Sequence, residues 1–248
     1  MKKLICAALL MSAVTACYAE PQSAGKQEAK PAATAATATP AAAAQESAVV
    51  PTPEEAVKQL AALDQAVKTL QFDFKQTLYF DETGLTREVA GNVYFSKPDK
   101  IRIEHSKPQP QIVYTDKKTI LIYKPADRQA LKSSWKQWLN QQASTLTGIA
   151  ELGDYATLAS KHEISVSRAK DGSLNFALRP KNNPKSYTLT LVLSDSDYFP
   201  HAIIFAVGKT RFETIISKVK RNADLPAGIF EFRQPPGVDL IDFSGPAK

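Results

Sequence analysis

The pattern of apolar and polar residues predicts three successive β-strands between Phe72 and His105. Residues 72–80 largely alternate between apolar and polar side chains, which is the two-residue period of a strand with one apolar face. Residues 81–84 supply turn chemistry, because glycine accepts a positive φ without a steric cost. Residues 87–95 alternate in the same way and predict a second strand, and residues 101–105 predict a third. These strands therefore carry bulky apolar groups on one side, which either pack an ordinary core or line a pocket for an apolar ligand.

A capped helix is predicted ahead of these strands. Thr52 suits the N-cap, Pro53 suits the first helical position, and Glu55 completes a capping box. An apolar stripe at helical spacing then runs from Val57 to Leu70. Docking against a sheet explains this stripe, and a mobile cover over a cavity is compatible with it.

The middle of the chain predicts two more strands and a second helical region. Residues 111–115 and 119–123 are apolar strands around a polar turn. Between residues 130 and 160 the apolar positions fit one face of helical structure, and this segment holds both tryptophans, Trp135 and Trp138. The two rings either anchor the helix in the core or close over an apolar pocket.

The C-terminal part of the chain is predicted to be a series of short strands. Its turns recur about every ten residues, which is typical of an antiparallel meander that closes toward a barrel. A final strand is predicted at Phe230–Phe232, and the prolines at 235 and 236 end it. The earlier strands are expected at Glu163–Arg168, Leu174–Arg179, Tyr187–Leu193, His201–Val207 and Arg211–Val219.

The N-terminal residues 1–19 are predicted to be an export signal. Two lysines precede an apolar run at 4–14 that is too short to remain as a membrane helix. Small residues at 17 and 19 would allow cleavage after Ala19, which would release a soluble protein. Residues 14–17 also resemble a bacterial lipobox, which would leave Cys17 as an acylated N-terminus. Both outcomes remain open at this point.

Two further regions complete the predicted organisation. Residues 20–50 are rich in Ala, Pro, Thr, Gln and Lys and bury too little apolar surface to offset chain entropy, so we expect a disordered linker. This linker is either a simple spacer or a tether, and a tether suits a lipidated Cys17. Residues 51–248 are expected to form the folded domain.

The cysteine positions and the net charge limit the kinds of site and partner that this protein can have. Both cysteines, Cys6 and Cys17, lie near the N-terminus, so a processed protein would hold no disulfide and no cysteine metal cluster. The net charge of +6 would fall to +4 if the signal were removed, since 29 basic and 25 acidic residues would remain. The excess of basic over acidic residues is spread along the chain. It is therefore weak evidence for an anionic partner and poor evidence for nucleic acid.

Motifs for catalysis or metal binding are missing from the sequence. The histidines at 105, 162 and 201 lack the spacing of a metal site, and there is no nucleophile elbow or glycine-rich phosphate loop. Tyrosines at 94, 114 and 123 near lysines would suit stacking of single-stranded nucleic acid, but an export signal argues against such a partner. We therefore expect neither enzymatic activity nor a cofactor, although a Ser-His-Asp site assembled in space stays open.

The ordered set of these patterns resembles the family of periplasmic carriers of outer-membrane lipoproteins, the LolA family. The shared features are the first helix, an F-x-F-x-Q strand start, a turn, a G-x-x-Y-F strand, a basic residue before proline and a short apolar strand. The resemblance extends over roughly Pro53 to Asp242. Four further stretches follow in the family's order: Ile112–Thr119, Ile122–Pro125, Phe176–Lys181 and Phe230–Val238.

The resemblance implies both a fold and a function. The fold is mainly β with helices, an incompletely closed antiparallel β-barrel whose strongly curved sheet has an apolar concave face under a helical lid. The function is to bind the acyl chains of lipoproteins in that cavity and to carry them through the periplasm from the inner to the outer membrane. The implied partners are acylated lipoproteins as cargo, an inner-membrane lipoprotein-releasing ABC transporter and an outer-membrane lipoprotein receptor, and the carrier is expected to be a monomer.

Two alternatives stay open beside this carrier. A lipidated Cys17 would give an outer-membrane lipoprotein receptor, or a lipid-binding lipoprotein of the same fold, anchored to the outer membrane and facing the periplasm. The other alternative is an envelope enzyme or structural protein whose barrel is filled by its own side chains.

The resemblance also implies roles for particular residues. The lid would consist of the helix Glu54–Leu70 and the helical region Leu131–Leu152. Lys97 beside Pro98 occupies the position where the family commonly has an arginine that holds the lid closed through hydrogen bonds. Lysine lacks the planar fork of donors, so we expect a looser lid or a different lipid cargo. The expected lining of the acyl-chain cavity is Phe74, Phe95, Ile101, Ile103, Trp135, Trp138, Leu139 and Leu146.

Overall fold

Twelve strands form one sheet in the computed structural model, which describes residues 50–141 and 155–245. Both ranges belong to one compact unit. The strands are β1 (Thr69–Phe80), β2 (Leu85–Ser96), β3 (Lys100–Lys107), β4 (Gln111–Thr115), β5 (Thr119–Lys124), β6 (Gln129–Ser134), β7 (His162–Arg168), β8 (Leu174–Pro180), β9 (Thr188–Leu193), β10 (Pro200–Val207), β11 (Thr210–Arg221) and β12 (Asp239–Asp242).

The sheet is strongly curved and open. Its order is β12-β6-β5-β4-β3-β2-β1-β11-β10-β9-β8-β7, so that β2 and β1 lie in the middle and β12 and β7 form the two edges. The edges do not pair with each other within the described residues, and the sheet therefore does not close into a barrel. The predicted mainly β, incompletely closed architecture is confirmed. β12 adds one parallel pair, with β6, to a sheet that is otherwise antiparallel.

Within the described residues, three helices accompany the sheet: α1 (Pro53–Ala66), α2 (Trp135–Gln141) and α3 (Tyr155–Lys161). The predicted capping box is present, because Thr52 Oγ1 accepts from the Glu55 amide at 3.2 Å and the Glu55 carboxylate accepts from the Thr52 amide at 2.8 Å. The predicted extent of this helix is wrong. Val67 is already extended and Leu70 belongs to β1, because pairing with β2 and β11 begins at residues 69 and 70.

The predicted helical region begins too early. Leu131 lies in β6, where it faces Ile122 of β5 and Ile241 of β12, and helical structure starts only at Trp135. Leu131 and Trp135 are four residues apart. Side chains at that spacing share one face of a helix, and they also share one face of a strand. The part of the predicted lid from residue 142 to Leu152 lies outside the described residues.

The predicted strand at Phe230–Phe232 is also wrong. This segment forms turns, with the Glu231 amide donating to the Gly228 carbonyl at 2.9 Å. Its alternation reflects side-chain packing instead, since Phe232 contacts Tyr114 and Tyr123 with ring centroids 5.8 Å and 5.5 Å apart. Alternating apolar residues therefore indicate that alternate side chains pack against the protein. A turn segment can achieve this packing as well as a strand can.

The core lies between one face of the sheet and the three helices. The inner face is the face of the sheet that carries the buried side chains of this core, among them Phe74, Phe95, Ile101 and Ile103. α1 contributes Ala56 and Leu60, α2 contributes Trp138, and α3 contributes Leu158 to one continuous cluster with the inner-face side chains. α1 also packs against α3 and β7, whereas α2 packs against β5 and β6. Within the described ranges, no helix combines the length and the apolar character that crossing a membrane requires.

Candidate functional site

Cross-strand pairing brings the predicted lining residues of the first hairpins together on the inner face. Phe95 of β2 lies opposite Ile101 of β3, and Val93 lies opposite Ile103. Phe74 shares the same face on the neighbouring strand β1, and it belongs to the same cluster. Directly opposite residues of an antiparallel pair have Cβ atoms about 5 Å apart, so these side chains form a continuous apolar surface.

The inner face is closed in this structure. Phe95 and Ile103 are 0% exposed, Ile101 is 1% exposed and Phe74 is 3% exposed. These four side chains are therefore covered by other protein atoms. An acyl chain reaches them only if the covering atoms move away, so their role as a lining stays a prediction that depends on opening.

The two tryptophans lie at the edge of this surface. Trp135 and Trp138 stack on α2 with ring centroids 5.4 Å apart and planes 19° apart. Trp138 is buried in the core cluster, and the half-buried Trp135 packs against it. Of the other two predicted lining residues, the side chain of Leu139 and the whole of Leu146 lie outside the described residues.

Lys97 contacts the C-terminal end of α1. Its ammonium group donates to the Asp64 carbonyl and, at 3.5 Å, to the Gln65 carbonyl. These carbonyls lack partners within the helix, and the partial negative charge of a helix C-terminus favours a cation there. Lys97 thus lies where a residue that holds α1 in place is expected, next to Pro98 in the β2–β3 turn. Its role in opening remains a prediction.

Asn222 completes the attachment of α1. Its Nδ2 donates to the Ala66 carbonyl at 3.1 Å, and its Oδ1 accepts from the Lys68 amide at 2.7 Å. The backbone of Asn222 has φ = 55°, a left-handed conformation that asparagine adopts more readily than most residues. Residues from two distant turns therefore fasten the same helix end.

The C-terminal end of α3 is fastened in a similar way. Lys181 donates its ammonium hydrogens to the Ser160 carbonyl at 2.9 Å and to the Ala159 carbonyl at 3.5 Å. The buried His162 contacts the Leu158 carbonyl through Nδ1 at 2.9 Å, and a carbonyl only accepts, so Nδ1 carries a hydrogen. In the neutral ring, Nε2 then accepts from the Tyr187 hydroxyl at 2.7 Å.

Sequence reasoning missed Asn222 and Lys181 as helix anchors. No local pattern marks either residue, because each contacts a helix that is remote in sequence. The one available signal was weak: Asn222 directly follows strand β11, and asparagine at such a position favours the left-handed conformation.

Two titratable groups near this site have shifted pKa values. Burial lowers the pKa of His105 to about 4, against the opposing effect of the Gln111 backbone. The imidazole packs edge-on against Phe74, with ring centroids 5.9 Å apart. Burial also raises the pKa of the Asp64 carboxyl, although the positive charge of Lys97 opposes this shift. Both groups thus favour their neutral forms more than they would in water.

Lowering the pH from 6.5 toward 4 is expected to destabilise the fold through His105. In this window the unfolded state binds one proton more than the folded state, so the free energy of unfolding falls as the pH falls, by at most about 3 kcal/mol. Below about pH 4 both states are protonated and this contribution stops changing. Asp64 opposes the trend, since a raised carboxyl pKa in the folded state adds stability at low pH.

Urea unfolding at several pH values checks this expectation. His105→Gln should flatten the dependence between pH 6.5 and 4, and its effect should exceed that of His201→Gln, which changes an exposed histidine. Equal slopes for the wild type and His105→Gln would contradict the assignment.

The structure defines a class of fold: one open, strongly curved β-sheet whose apolar inner face packs against helices. Comparison with known proteins then identifies the family. The chain belongs to the family of the outer membrane lipoprotein carrier protein LolA, which it matches over residues 65–233. The predicted resemblance is therefore confirmed, and the chain is a member of a lipoprotein-carrier family.

Individual relatives support the same family. The outer-membrane lipoprotein carrier protein of Azotobacter vinelandii is 28% identical over 190 residues, which span 76% of this chain and 88% of the relative. The protein of the same name from Chromobacterium violaceum is 27% identical over 197 residues, spanning 77% and 89%. An uncharacterized conserved protein from Thermus thermophilus aligns with a TM-score of 0.51 at 14% identity, over 76% of this chain and 98% of that one, which supports the fold alone.

Proposed function

We propose that this protein binds the acyl chains of lipoproteins between the inner face and the helices and carries them across the periplasm. An inner-membrane lipoprotein-releasing ABC transporter would supply the cargo, and an outer-membrane receptor would accept it from a monomeric carrier. The observation that carries this proposal is the continuous apolar inner face of a lipoprotein-carrier family member, covered by helices that are fastened at one end.

The energetics require such a cover. Each CH₂ group removed from water contributes roughly 0.8 kcal/mol, so one palmitoyl chain exposes on the order of 10 kcal/mol of unfavourable surface in an aqueous compartment. When a helix moves away, the inner face loses protein contacts, and an acyl chain that enters restores apolar contact. Binding and release then need no covalent chemistry and no cofactor.

The tryptophans provide a direct test, because they are the only two in the chain and both lie on α2 at the edge of the inner face. A peptide acylated with a brominated palmitoyl chain is expected to quench their fluorescence strongly, since bromine quenches only at short range. The same peptide without the acyl chain should leave the emission unchanged. Binding of the acylated peptide without quenching would contradict a position for the chain beside α2.

A second candidate function rests on the sequence around Cys17. We propose 1–19 as a signal that is removed, 20–50 as a linker and 51–248 as the carrier domain. The lipobox-like residues 14–17 favour instead a receptor, or a lipid-binding lipoprotein, that Cys17 anchors to the outer membrane. Mass spectrometry of the mature N-terminus separates the two: a free Glu20 supports the soluble carrier, and an acylated Cys17 supports the anchored protein.

A further inference from the structure

Gln76 is a polar residue in the middle of the apolar inner face. It lies on β1 between Phe74 and Leu78, in phase with both, and it is 0% exposed. Its Nε2 donates to Thr214 Oγ1 of the adjacent strand β11 at 2.9 Å, and Thr214 is itself buried. The Gln76 Oε1 is buried as well and has no hydrogen-bond partner among the described residues.

An unpaired amide oxygen at this position is costly, since a buried acceptor has lost its water without gaining a donor. A leucine or methionine would fill similar space and pack with Phe74 and Leu78 at no such cost. A bond to Thr214 that only joined the two strands would be redundant, because β1 and β11 already pair along their backbones. The buried amide therefore suggests a partner that is absent from the closed protein.

We propose that Gln76, held by Thr214, hydrogen-bonds an amide group through which an acyl chain is joined to the cargo. This inference rests on the proposed function and names one polar subsite within it. A secondary amide offers an N–H donor to the free Oε1, which an ester of the same shape does not. The site thus distinguishes amide-linked from ester-linked chains as they settle on the inner face.

Two probes that differ only in N–H against O test the subsite: N-palmitoylglycine methyl ester and its ester analogue, methyl O-palmitoylglycolate. The wild-type protein is expected to bind the amide about fivefold more tightly, which is the effect of one net hydrogen bond. Gln76→Leu should reduce the ratio of the two dissociation constants to about one, and so should Gln76→Met, which keeps the unbranched shape if leucine impairs folding.

Gln71→Leu is the matched control, because Gln71 lies on the same strand with its half-buried side chain on the opposite face. It should keep the wild-type ratio. Equal binding of both probes by the wild-type protein, or a ratio that survives in the Gln76 variants, would overturn the subsite while leaving the carrier function intact. Failure of the wild-type protein to bind either probe would overturn the subsite together with the proposed function.

Discussion

Gly91→Ala is expected to lower the free energy of unfolding by about 3 kcal/mol or more, because the added methyl group has no space. A Cβ at this position would lie 2.0 Å from the Glu104 carbonyl oxygen and 2.9 Å from Cε1 of the Phe74 ring. The first of these atoms belongs to the backbone of β3, which cannot move without breaking its pairing with β2. The pairing already shifts register between Ala90 and Gly91, so the strands have little freedom left there.

Urea unfolding of two other glycine variants provides the controls. Gly245→Ala should be nearly neutral, since open space surrounds that position, and Gly84→Ala should cost only about 1 kcal/mol for its positive φ. If Gly91→Ala were as stable as Gly245→Ala, the close approach of β2 to β3 would not hold in solution.

Combining Lys97→Met with Asn222→Gly is expected to release the C-terminal end of α1 and to increase its opening on the order of 100-fold. The two side chains supply the hydrogen bonds to the carbonyls of Asp64, Gln65 and Ala66, and each lost bond contributes about 1 kcal/mol. Glycine is chosen at 222 because it keeps the left-handed backbone while removing the side chain. Amide hydrogen exchange measures the result, with faster exchange expected in α1 than in β1 or β11.

Two variants make this test specific. Lys97→Arg should restore most of the protection, because its guanidinium keeps the charge and adds donors. Lys75→Met removes an exposed lysine that pairs with Glu88 on the outer face, and it should leave α1 unchanged. Equal acceleration of exchange in every strand would indicate global destabilisation and would contradict a local attachment.

Much of the fold could be predicted from the sequence because its signals are local. The strands β4 and β8 and the capped start of α1 follow from alternation, turn residues and the capping box within a few residues. The end of α1 was predicted too late because Val67 and Leu70 fit a helical stripe as well as a strand. Only pairing with remote strands decides between these periods at such a boundary.

The same distinction between local patterns and contacts remote in sequence applies to the candidate site. The two-residue period predicted an apolar face on each of the strands that carry Phe74, Phe95, Ile101 and Ile103, and the pairing register brings these four residues together. Asn222 could not be found in this way, because its partners Ala66 and Lys68 are 156 and 154 positions away in the sequence. Gln76 was visible only as part of a motif, since no pattern in a sequence shows that an amide oxygen lacks a partner.

The attachment of α1 at its C-terminal end predicts that, once the hydrogen bonds there are released, the other end of the helix moves furthest. Two residues separate Ala66 from β1 in the middle of the sheet, so a swing of the helix would move the Pro53 end furthest. A group joined ahead of Pro53 would therefore move with the end of the helix that is displaced furthest. A bulky fusion partner joined there should slow the swing, whereas the same partner joined after β12 should not.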